Sequence, residues 1–498
     1  MKNSFARPDF VFTLIMILTT AFPGCRERFG QENDVMRASY WTDQAMNDIL
    51  PPWTHHARDT VYGAFLTSLD GEWQASSDQR KYPSMIGRHL FSYSVGYLLT
   101  GQYRYLEVAE ELRTYLLNCA WDKEYGGWFD LLNRDGTPQE TTKNMFIQTY
   151  ALTGLAMYYF VTRDQETLDY IERSNTLIET HLWDQTDGGY FNRASRDWAV
   201  VDSNKSFASQ VAPVSGYLLY GYLATLDEYY LSQSQRIMNV VIHKMHEPGS
   251  RWILESYDHH WEYIPGHPDE INIGHNLETA WVLMRLYLLT HESSCLDPVT
   301  MIRDDLAEKG FDPIRGFWYK GLARQNTEEH DDFTYWWIQA YGNMFNLMLY
   351  RIDEDSRHVR DFEKGARLWD EQFIDRKYGD TYMSVGLTGE EKDARKANPY
   401  KTSYHSMEQC LLNYVYLSLW VNHEPVALYF SINTERERDT LYPNPVEDRD
   451  IRIMRAYSVT DGREFCFDIT GQAVVIPGPG RFEIAVVLGS QPAGDRGF

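Results

Sequence analysis

The chain has 498 residues, of which 43% are hydrophobic and 24% are charged, proportions typical of a globular protein and unlike a disordered or multi-span membrane chain. Its 47 basic and 71 acidic residues give a net charge of −24, which repels nucleic-acid phosphates and argues against a nucleic-acid partner. Aromatic residues make up 15% of the chain. That content suits either an aromatic core or a cleft whose flat side chains stack on sugars.

A short apolar run, residues 10–22, follows Lys2 and Arg7 near the N-terminus. The run is too short to span a bilayer comfortably, so it predicts an export signal over residues 1–24. The residues that end at Cys25, Ala-Phe-Pro-Gly-Cys, are similar to a bacterial lipoprotein cleavage site. We therefore expect an exported protein, periplasmic or at the cell surface, whose membrane contact is a lipid on Cys25. Plain secretion is the alternative.

The remaining cysteines are widely spaced and include no Cys-x-x-Cys pair. They are Cys119, Cys295, Cys410 and Cys466. This spacing gives no indication of a thiolate metal site, and it does not determine a disulfide pairing.

A glycine beside aromatic residues recurs every 61 to 67 residues, at Gly63, Gly126, Gly188, Gly249, Gly316 and Gly379. Two stretches of helical apolar periodicity separate successive glycines, for example residues 86–99 and 105–117. Six such helix pairs bury their apolar faces most economically by closing on themselves. We therefore predict that residues 34–424 form an all-α (α/α)6 barrel of six inner and six outer helices. An open helical solenoid is the alternative.

The chain changes character after Pro425. Short stretches rich in β-branched and aromatic residues alternate with glycine turns, including Asp461-Gly462 and Thr470-Gly471. This pattern predicts a small β-rich C-terminal domain over residues 425–498, which covers or extends the barrel.

Residues at the starts of inner helices border the central cleft of such a barrel, so they are candidates for chemistry. The predicted starts lie near Arg88, Lys143, Lys205, His275, Trp336 and His405. His275 and Glu278 are three residues apart, as are His405 and Glu408, so each pair shares a helix face. Two imidazoles facing one cavity can remove a proton from one side of a carbon and return it on the other. There are two alternatives to this interpretation of the His-x-x-Glu pairs. One is that each is an ordinary polar pair on a helix surface, and the other is that together they form a carboxylate–histidine metal site.

Trp336 and Trp337 lie about 100° apart on a helix, so they cannot both face one point. We expect Trp337 to line the cleft and Trp336 to pack in the wall.

Several stretches resemble, in order, the N-acylglucosamine 2-epimerase superfamily, which includes cellobiose 2-epimerases and aldose–ketose isomerases. They are residues 49–53 (ILPPW), 125–128 (YGGW), 145–152 (MFIQTYAL), 188–190 (GGY), 196–198 (RDW), 274–278 (GHNLE), 336–340 (WWIQA) and 404–405 (YH). The resemblance implies an (α/α)6 barrel and a sugar epimerase or isomerase that needs no cofactor and no metal.

The resemblance also implies roles for individual residues. His275 and His405 correspond to the paired acid/base histidines, Glu278 to the carboxylate serving the first of them, and Arg88 to the arginine beside the sugar oxygens. Trp337 corresponds to a side chain that stacks on the sugar. Further substrate contacts are expected from Lys143, Tyr400, Tyr404 and Glu408.

The chain departs from the family pattern at several of these positions. The epimerases carry an asparagine and a histidine four residues apart on the third inner helix, where this chain has Ala208 and Ala212. Tyr400 stands where the family has a tryptophan, and Glu408 where it has an arginine. In the family, that histidine is associated with opening of the sugar ring. Its absence from this chain is a reason to consider reactions other than 2-epimerisation.

Two alternatives to epimerisation or isomerisation follow from these departures. One is a glycoside hydrolase or polysaccharide lyase on the same barrel, since hydrolysis needs two carboxyl groups about 5 to 9.5 Å apart. The candidate carboxyl groups are Glu278, Glu408, Asp331 and Asp332. The other alternative is a glycan-binding lipoprotein without catalytic activity.

The Glu408 carboxylate predicts one electrostatic effect. A negative charge one helical turn from His405 favours the imidazolium, so we expect a raised pKa for His405 and a role as the acid.

Overall fold

The computed structural model of the chain describes residues 34–246 and 251–490. The predicted export signal, Cys25 and the repeat glycine Gly249 lie outside the described residues. No helix within them is both long enough and apolar enough to cross a membrane.

Helices dominate the described chain up to Val421. The α-helices are α1 (Ala38–Gln44), α2 (Leu50–Pro52), α3 (Pro83–Thr100), α4 (Tyr103–Tyr115), α5 (Met145–Thr162), α6 (Gln165–His181), α7 (Phe207–Pro213), α8 (Leu219–Thr225), α9 (Glu228–Val240), α10 (Ile273–Thr290), α11 (Leu296–Lys309), α12 (Trp336–Asp353), α13 (Ser356–Leu368) and α14 (Tyr404–Tyr416). Single π-helical turns adjoin them at Ala45–Ile49, Trp53–Ala57, Leu116–Ala120, Val214–Leu218, Val241–Met245, Trp369–Phe373 and Leu417–Val421, and a 3-10 turn at Ser293–Cys295.

An inner ring is formed by α3, α5, α7 with α8, α10, α12 and α14. Each of these helices contacts the next in chain order, and α14 contacts α3. They are buried along nearly their whole length, whereas α4, α6 and α9 pack outside and bury one face. The contact between α14 and α3 closes the ring, as expected for an α/α barrel and not for an open solenoid.

The repeat glycines close a recurrent turn. Those that the structure describes have positive φ angles, Gly63 (+80°), Gly126 (+72°), Gly188 (+74°), Gly316 (+72°) and Gly379 (+76°). Glycine adopts this conformation without the steric cost that other residues incur. The periodicity in the sequence therefore reflects one backbone turn used repeatedly.

A buried Asp–Lys ion pair accompanies most of these turns and corrects one prediction. Lys143 Nζ lies 3.2 Å from Asp122 Oδ2, and both side chains are fully buried. Equivalent pairs recur at Asp59–Lys81, Asp184–Lys205 and Asp375–Lys396. The prediction that Lys143 binds substrate is wrong, because its ammonium group neutralises a buried carboxylate of the turn.

Short antiparallel strands, which were not predicted, accompany the turns between helices. They are β1 (Leu131–Leu132), β2 (Pro138–Glu140), β3 (Lys143–Asn144), β4 (Arg193–Ala194), β5 (Val200–Asp202), β6 (Lys205–Ser206), β7 (Ser256–Tyr257), β8 (Glu270–Asn272), β9 (Phe311–Asp312), β10 (Phe317–Trp318), β11 (Gly321–Ala323), β12 (Asn326–His330), β13 (Phe333–Tyr335), β14 (Ser384–Gly386) and β15 (Glu391–Asp393). Strands β3, β6, β8 and β13 lead directly into α5, α7, α10 and α12. They hold the N-terminal ends of these helices in place.

Longer strands follow the last helical turn, as predicted from the change in sequence. They are β16 (Val426–Thr434), β17 (Asp439–Leu441), β18 (Ile451–Ser458), β19 (Val474–Ile476) and β20 (Gly480–Ser490). Strand β20 lies between β16 and β18 in an antiparallel sheet, with Val426 opposite Leu488 and Thr434 opposite Gly480. Strand β16 packs against α3 and α5. The division of the chain into two domains near residue 425 stays a prediction.

Candidate active site

Both predicted histidines lie in the first turn of an inner helix. The Asn272 side chain accepts the backbone N–H of His275 at 3.1 Å and caps α10, whereas His405 is the second residue of α14. Trp337 lies near both, with ring centroids 5.1 Å from His275 and 6.2 Å from His405. The structure therefore brings the two imidazoles to one tryptophan.

The neighbouring tryptophans have different environments. Trp336 is 2% exposed, while Trp337 is partly exposed. Gly274 makes room for Trp337, because a Cβ at that position would lie 2.4 Å from the indole. Trp336 therefore packs in the wall, as expected, and the position of Trp337 in the substrate cleft stays a prediction.

Alanine at these two positions should have different effects. Trp336→Ala leaves a cavity in the wall, so we expect it to lower the free energy of unfolding by about 3 to 5 kcal/mol. Trp337→Ala should cost less stability and weaken sugar binding. Denaturant unfolding and sugar titration of both variants measure this. Equal destabilisation with unchanged sugar binding would contradict the assignment.

Arg88 on α3 is 4% exposed and lies against aromatic rings. Its Cζ is 3.7 Å from the centroid of Tyr150 and 4.9 Å from that of Phe146. Nη1 donates to the backbone oxygen of Tyr400 at 3.2 Å, whereas Nε has no hydrogen-bond partner within the described residues. The Nε–H of this buried cation is therefore unsatisfied but is itself enclosed by protein atoms.

His275 has a carboxylate partner that the sequence analysis missed. Its Nδ1 lies 2.7 Å and 2.8 Å from the two carboxylate oxygens of Glu255. Burial lowers the pKa of His275, but the charges of Glu255 and Glu278 outweigh burial and leave this pKa raised above 6.5. His275 is therefore held towards the imidazolium form.

Strand pairing brings Glu255 to His275. Strand β6 pairs with β7, so that Ser206 lies opposite Ser256. The backbone N–H of Phe207 donates to the backbone carbonyl oxygen of Glu255 at 2.9 Å. The Phe207 ring stacks on the His275 imidazole at 3.8 Å with an interplanar angle of 11°. No helical spacing links Glu255 or Phe207 to His275, so the sequence pattern gave no signal for either.

His405 has the opposite pKa shift. Burial, followed by the positive charges of Arg88 and His275, holds the pKa of His405 well below 6.5. Glu408 Oε2 lies 4.0 Å from His405 Nδ1, but burial raises the pKa of Glu408 to about 7, so much of its charge is lost at neutral pH. The prediction that Glu408 raises the pKa of His405 is wrong, because desolvation outweighs the neighbouring carboxylate.

Tyr404 and Glu408 form a layer behind His405. Both are buried, and the Tyr404 hydroxyl donates to Glu408 Oε1 at 3.0 Å. The Tyr220 hydroxyl donates to the same oxygen at 3.2 Å. These contacts argue against the predicted role of Tyr404 and Glu408 as substrate ligands, because both side chains are buried and the Tyr404 hydroxyl is bonded to Glu408 Oε1.

Glu278 faces the third inner unit. Ser215 Oγ donates to Glu278 Oε1 at 2.6 Å, and burial raises the pKa of Glu278. Ser215 lies in the π-turn between α7 and α8 and was not predicted. The third inner unit therefore contributes Ser215 and Phe207, while Ala212 brings no polar side chain and its backbone oxygen lies 3.3 Å from Ser215 Oγ.

A cavity of about 520 Å³ borders Phe146, which packs against Arg88, but its lining does not include His275, His405 or Trp337. Tyr400, 66% exposed, forms part of its wall with Phe146, Ser206, Ala208 and Ser209. Tyr400 is thus exposed at this cavity, and its role as a substrate contact stays a prediction. Ala208 leaves space where the resemblance places an asparagine. Within the described residues, no group of three or more His, Cys, Asp or Glu is arranged to hold a metal ion.

The Glu255 contact gives a pH prediction. Glu255→Gln removes a negative charge beside His275, so we expect a lower pKa for His275. If the imidazolium is the acid, activity is lost as pH rises through this pKa, and the variant's alkaline limb should move to lower pH. Nitrogen-15 NMR of His275 and a pH–rate profile measure both effects. Glu262→Gln, a change outside this cluster, is the control, and identical His275 titrations in wild type and Glu255→Gln would contradict the prediction.

Comparisons with known proteins bear on the family and the fold of the chain. Residues 63–409 match the family model described as N-acylglucosamine 2-epimerase (GlcNAc 2-epimerase). A cellobiose 2-epimerase from Bacteroides fragilis is 24% identical over 383 residues, which cover 73% of this chain and 95% of that protein. A D-mannose isomerase from Marinomonas mediterranea is 23% identical over 337 residues, which cover 65% of this chain and 84% of that protein. The structure of cellobiose 2-epimerase from Spirochaeta thermophila superposes with a TM-score of 0.71 at 21% identity, over 76% of this chain and 96% of that chain.

Proposed function

Since the chain belongs to the N-acylglucosamine 2-epimerase family, we propose that it epimerises or isomerises a reducing sugar or oligosaccharide through an enediolate. The scaffold is an (α/α)6 barrel, in which α7 and α8 together count as one inner unit.

One observation carries the proposal: two histidines with opposite pKa shifts lie near the same tryptophan. The neutral imidazole of His405 is suited to remove the proton on the carbon next to the carbonyl. The imidazolium of His275 is suited to donate a proton. General acid–base groups of this kind typically contribute about 10²- to 10⁴-fold each to the rate.

Arg88 supports the same step. Removal of the proton places negative charge on the carbonyl oxygen, and the positive charge of the buried Arg88 guanidinium stabilises it. Return of the proton to the opposite face of C2 gives the epimer. Delivery of the proton to C1 gives the ketose instead.

The proposal is tested with a panel of reducing sugars that contains cellobiose, glucose, mannose and N-acetylglucosamine. We expect a C2 epimer or a ketose from at least one of them, separated by anion-exchange chromatography. Polysaccharides are offered in parallel, and new reducing ends or unsaturated products would favour a hydrolase or lyase. Sugar binding without turnover, unaffected by His275→Ala, would favour a glycan-binding protein.

We also propose that the enzyme acts outside the cytoplasm, attached by a lipid on Cys25. The support is the apolar run followed by Ala-Phe-Pro-Gly-Cys in the sequence. Labelling with a radioactive fatty acid, compared between wild type and Cys25→Ser, tests the attachment. Equal labelling of the two proteins would contradict it.

A further inference from the structure

The segment between β17 and β18, residues 442–450, lies outside the part of the chain that matches the family model. It reaches the end of the inner ring opposite the histidines. Three consecutive residues contact three inner helices: Glu447 pairs with Arg285 of α10, Asp448 with Arg351 of α12, and Arg449 donates to Tyr222 of α8. Arg285 is ten residues beyond His275, about 15 Å along the helix.

Glu447 and Arg285 form a fully buried ion pair. Arg285 Nη2 lies 2.6 Å from Glu447 Oε1, and each side chain is 1% exposed. A second bond joins Arg285 Nε to the same oxygen at 2.9 Å. A buried guanidinium without a counter-charge is strongly destabilised, so the C-terminal segment supplies the charge that keeps Arg285 inside the barrel.

Arg285 connects this pair to both sides of the candidate site. Nη1 donates to the backbone oxygen of Ser215 at 3.2 Å, and the Ser215 hydroxyl donates to Glu278. The guanidinium also lies 5.2 Å from the ring centroid of Tyr220, whose hydroxyl donates to Glu408. Arg285 is therefore linked through Ser215 to Glu278 and through Tyr220 to Glu408, the carboxyl groups next to the two histidines.

We propose that Glu447 is a positioning residue: it anchors Arg285, and through Arg285 it fixes Ser215 with Glu278 and sets the charge of Glu408 behind His405. The inference rests on the proposed function, since it concerns the same site. The resemblance places an arginine at position 408. In this chain the cation comes from Arg285 instead, and its counter-ion comes from the C-terminal segment.

The groups that face Glu408 determine the sign of the expected effect. They are Arg285 and Glu278 from α10, Tyr220 from α8, Tyr341 from α12, Tyr150 from α5, and Tyr404, His405 and Tyr416 from α14. Arg285 lowers the pKa of Glu408, in opposition to burial. Neutralising Glu447 alone leaves this cation unopposed, so the pKa of Glu408 should fall. Removing both charges should raise it.

The test uses the full chain with nitrogen-15-labelled histidine, so that it does not depend on turnover. The His405 ring signals are assigned by their loss in His405→Gln. In wild type they should report ionisation of Glu408 as a step near pH 7, and this step should vanish in Glu408→Gln. In Glu447→Gln the midpoint should fall by at least about 0.5 pH unit. In the double variant Arg285→Met with Glu447→Met it should rise by a similar amount.

Asp448→Asn is the matched control, because Asp448 is also buried in this segment but pairs with Arg351. Its midpoint should equal that of wild type. An unchanged midpoint in Glu447→Gln, or an equal shift in Asp448→Asn, would overturn the proposal. If Glu447→Gln fails to fold, the double variant decides, since buried ion pairs replaced by apolar side chains commonly fold. A double variant with the wild-type midpoint would also overturn it. Failure of the sugar assay alone would bear only on the proposed function.

Discussion

Replacing His405 by glutamine should lower the turnover number by about 10²- to 10⁴-fold, because the variant loses the neutral imidazole proposed to remove the proton. His275→Gln should cause a loss of similar size. Initial rates of sugar conversion measure both effects, with circular dichroism to show that the variants are folded. His260→Gln is the matched control, because His260 is exposed and contacts Asp187. A rate for His405→Gln within about threefold of wild type would contradict the assignment.

The two histidine variants should also differ from each other. If each histidine serves one face of C2, each variant loses proton exchange from one epimer and retains part of the exchange from the other. Proton NMR in D2O, starting from each purified epimer, separates the two losses. If both variants lose exchange from the same epimer, the two histidines do not act on opposite faces of C2.

Arg88→Met should lower the turnover number by about 10²- to 10³-fold, because the developing oxyanion loses a buried positive donor. Methionine keeps much of the apolar contact with Tyr150 and Phe146. Removal of the charge should also raise the pKa of His405, since Arg88 is one of the groups that lower it. Steady-state kinetics and NMR of His405 check the two effects independently.

Arg357→Met, an exposed arginine on α13, is the control for Arg88→Met. Arg88→Lys retains the charge without the planar group, so its rate should lie between those of wild type and Arg88→Met. Full activity in Arg88→Met with an unchanged pKa for His405 would show that Arg88 does not face the reacting atoms.

The sequence predicted those features that depend on local periodicity. His275 and His405 were found because helix geometry and the repeat place both near the starts of inner helices, and the two structural environments of Trp336 and Trp337 follow from the angle between successive residues. The α/α architecture was predicted for the same reason, from paired apolar stretches between regularly spaced glycines.

Contacts that depend on pairing between distant segments were not predicted. Glu255 reaches His275 through the pairing of β6 with β7, which no helical pattern indicates. Lys143 was misassigned although the sequence held a signal, the aspartate 21 residues earlier that recurs with its lysine in other repeats. The pKa of His405 was predicted with the wrong sign because its burial depends on the closed ring and not on its neighbour Glu408.

The central claim is that His275 and His405 transfer the proton at C2 of a reducing sugar. Incubating the protein with the sugar panel in D2O and reading C2 by proton NMR and mass spectrometry tests it most directly. The account predicts one deuterium at C2 of the epimer, or at C1 of the ketose for an isomerase, abolished in the double variant His275→Gln with His405→Gln. Conversion without any incorporation of solvent deuterium, or full incorporation by the double variant, would contradict it.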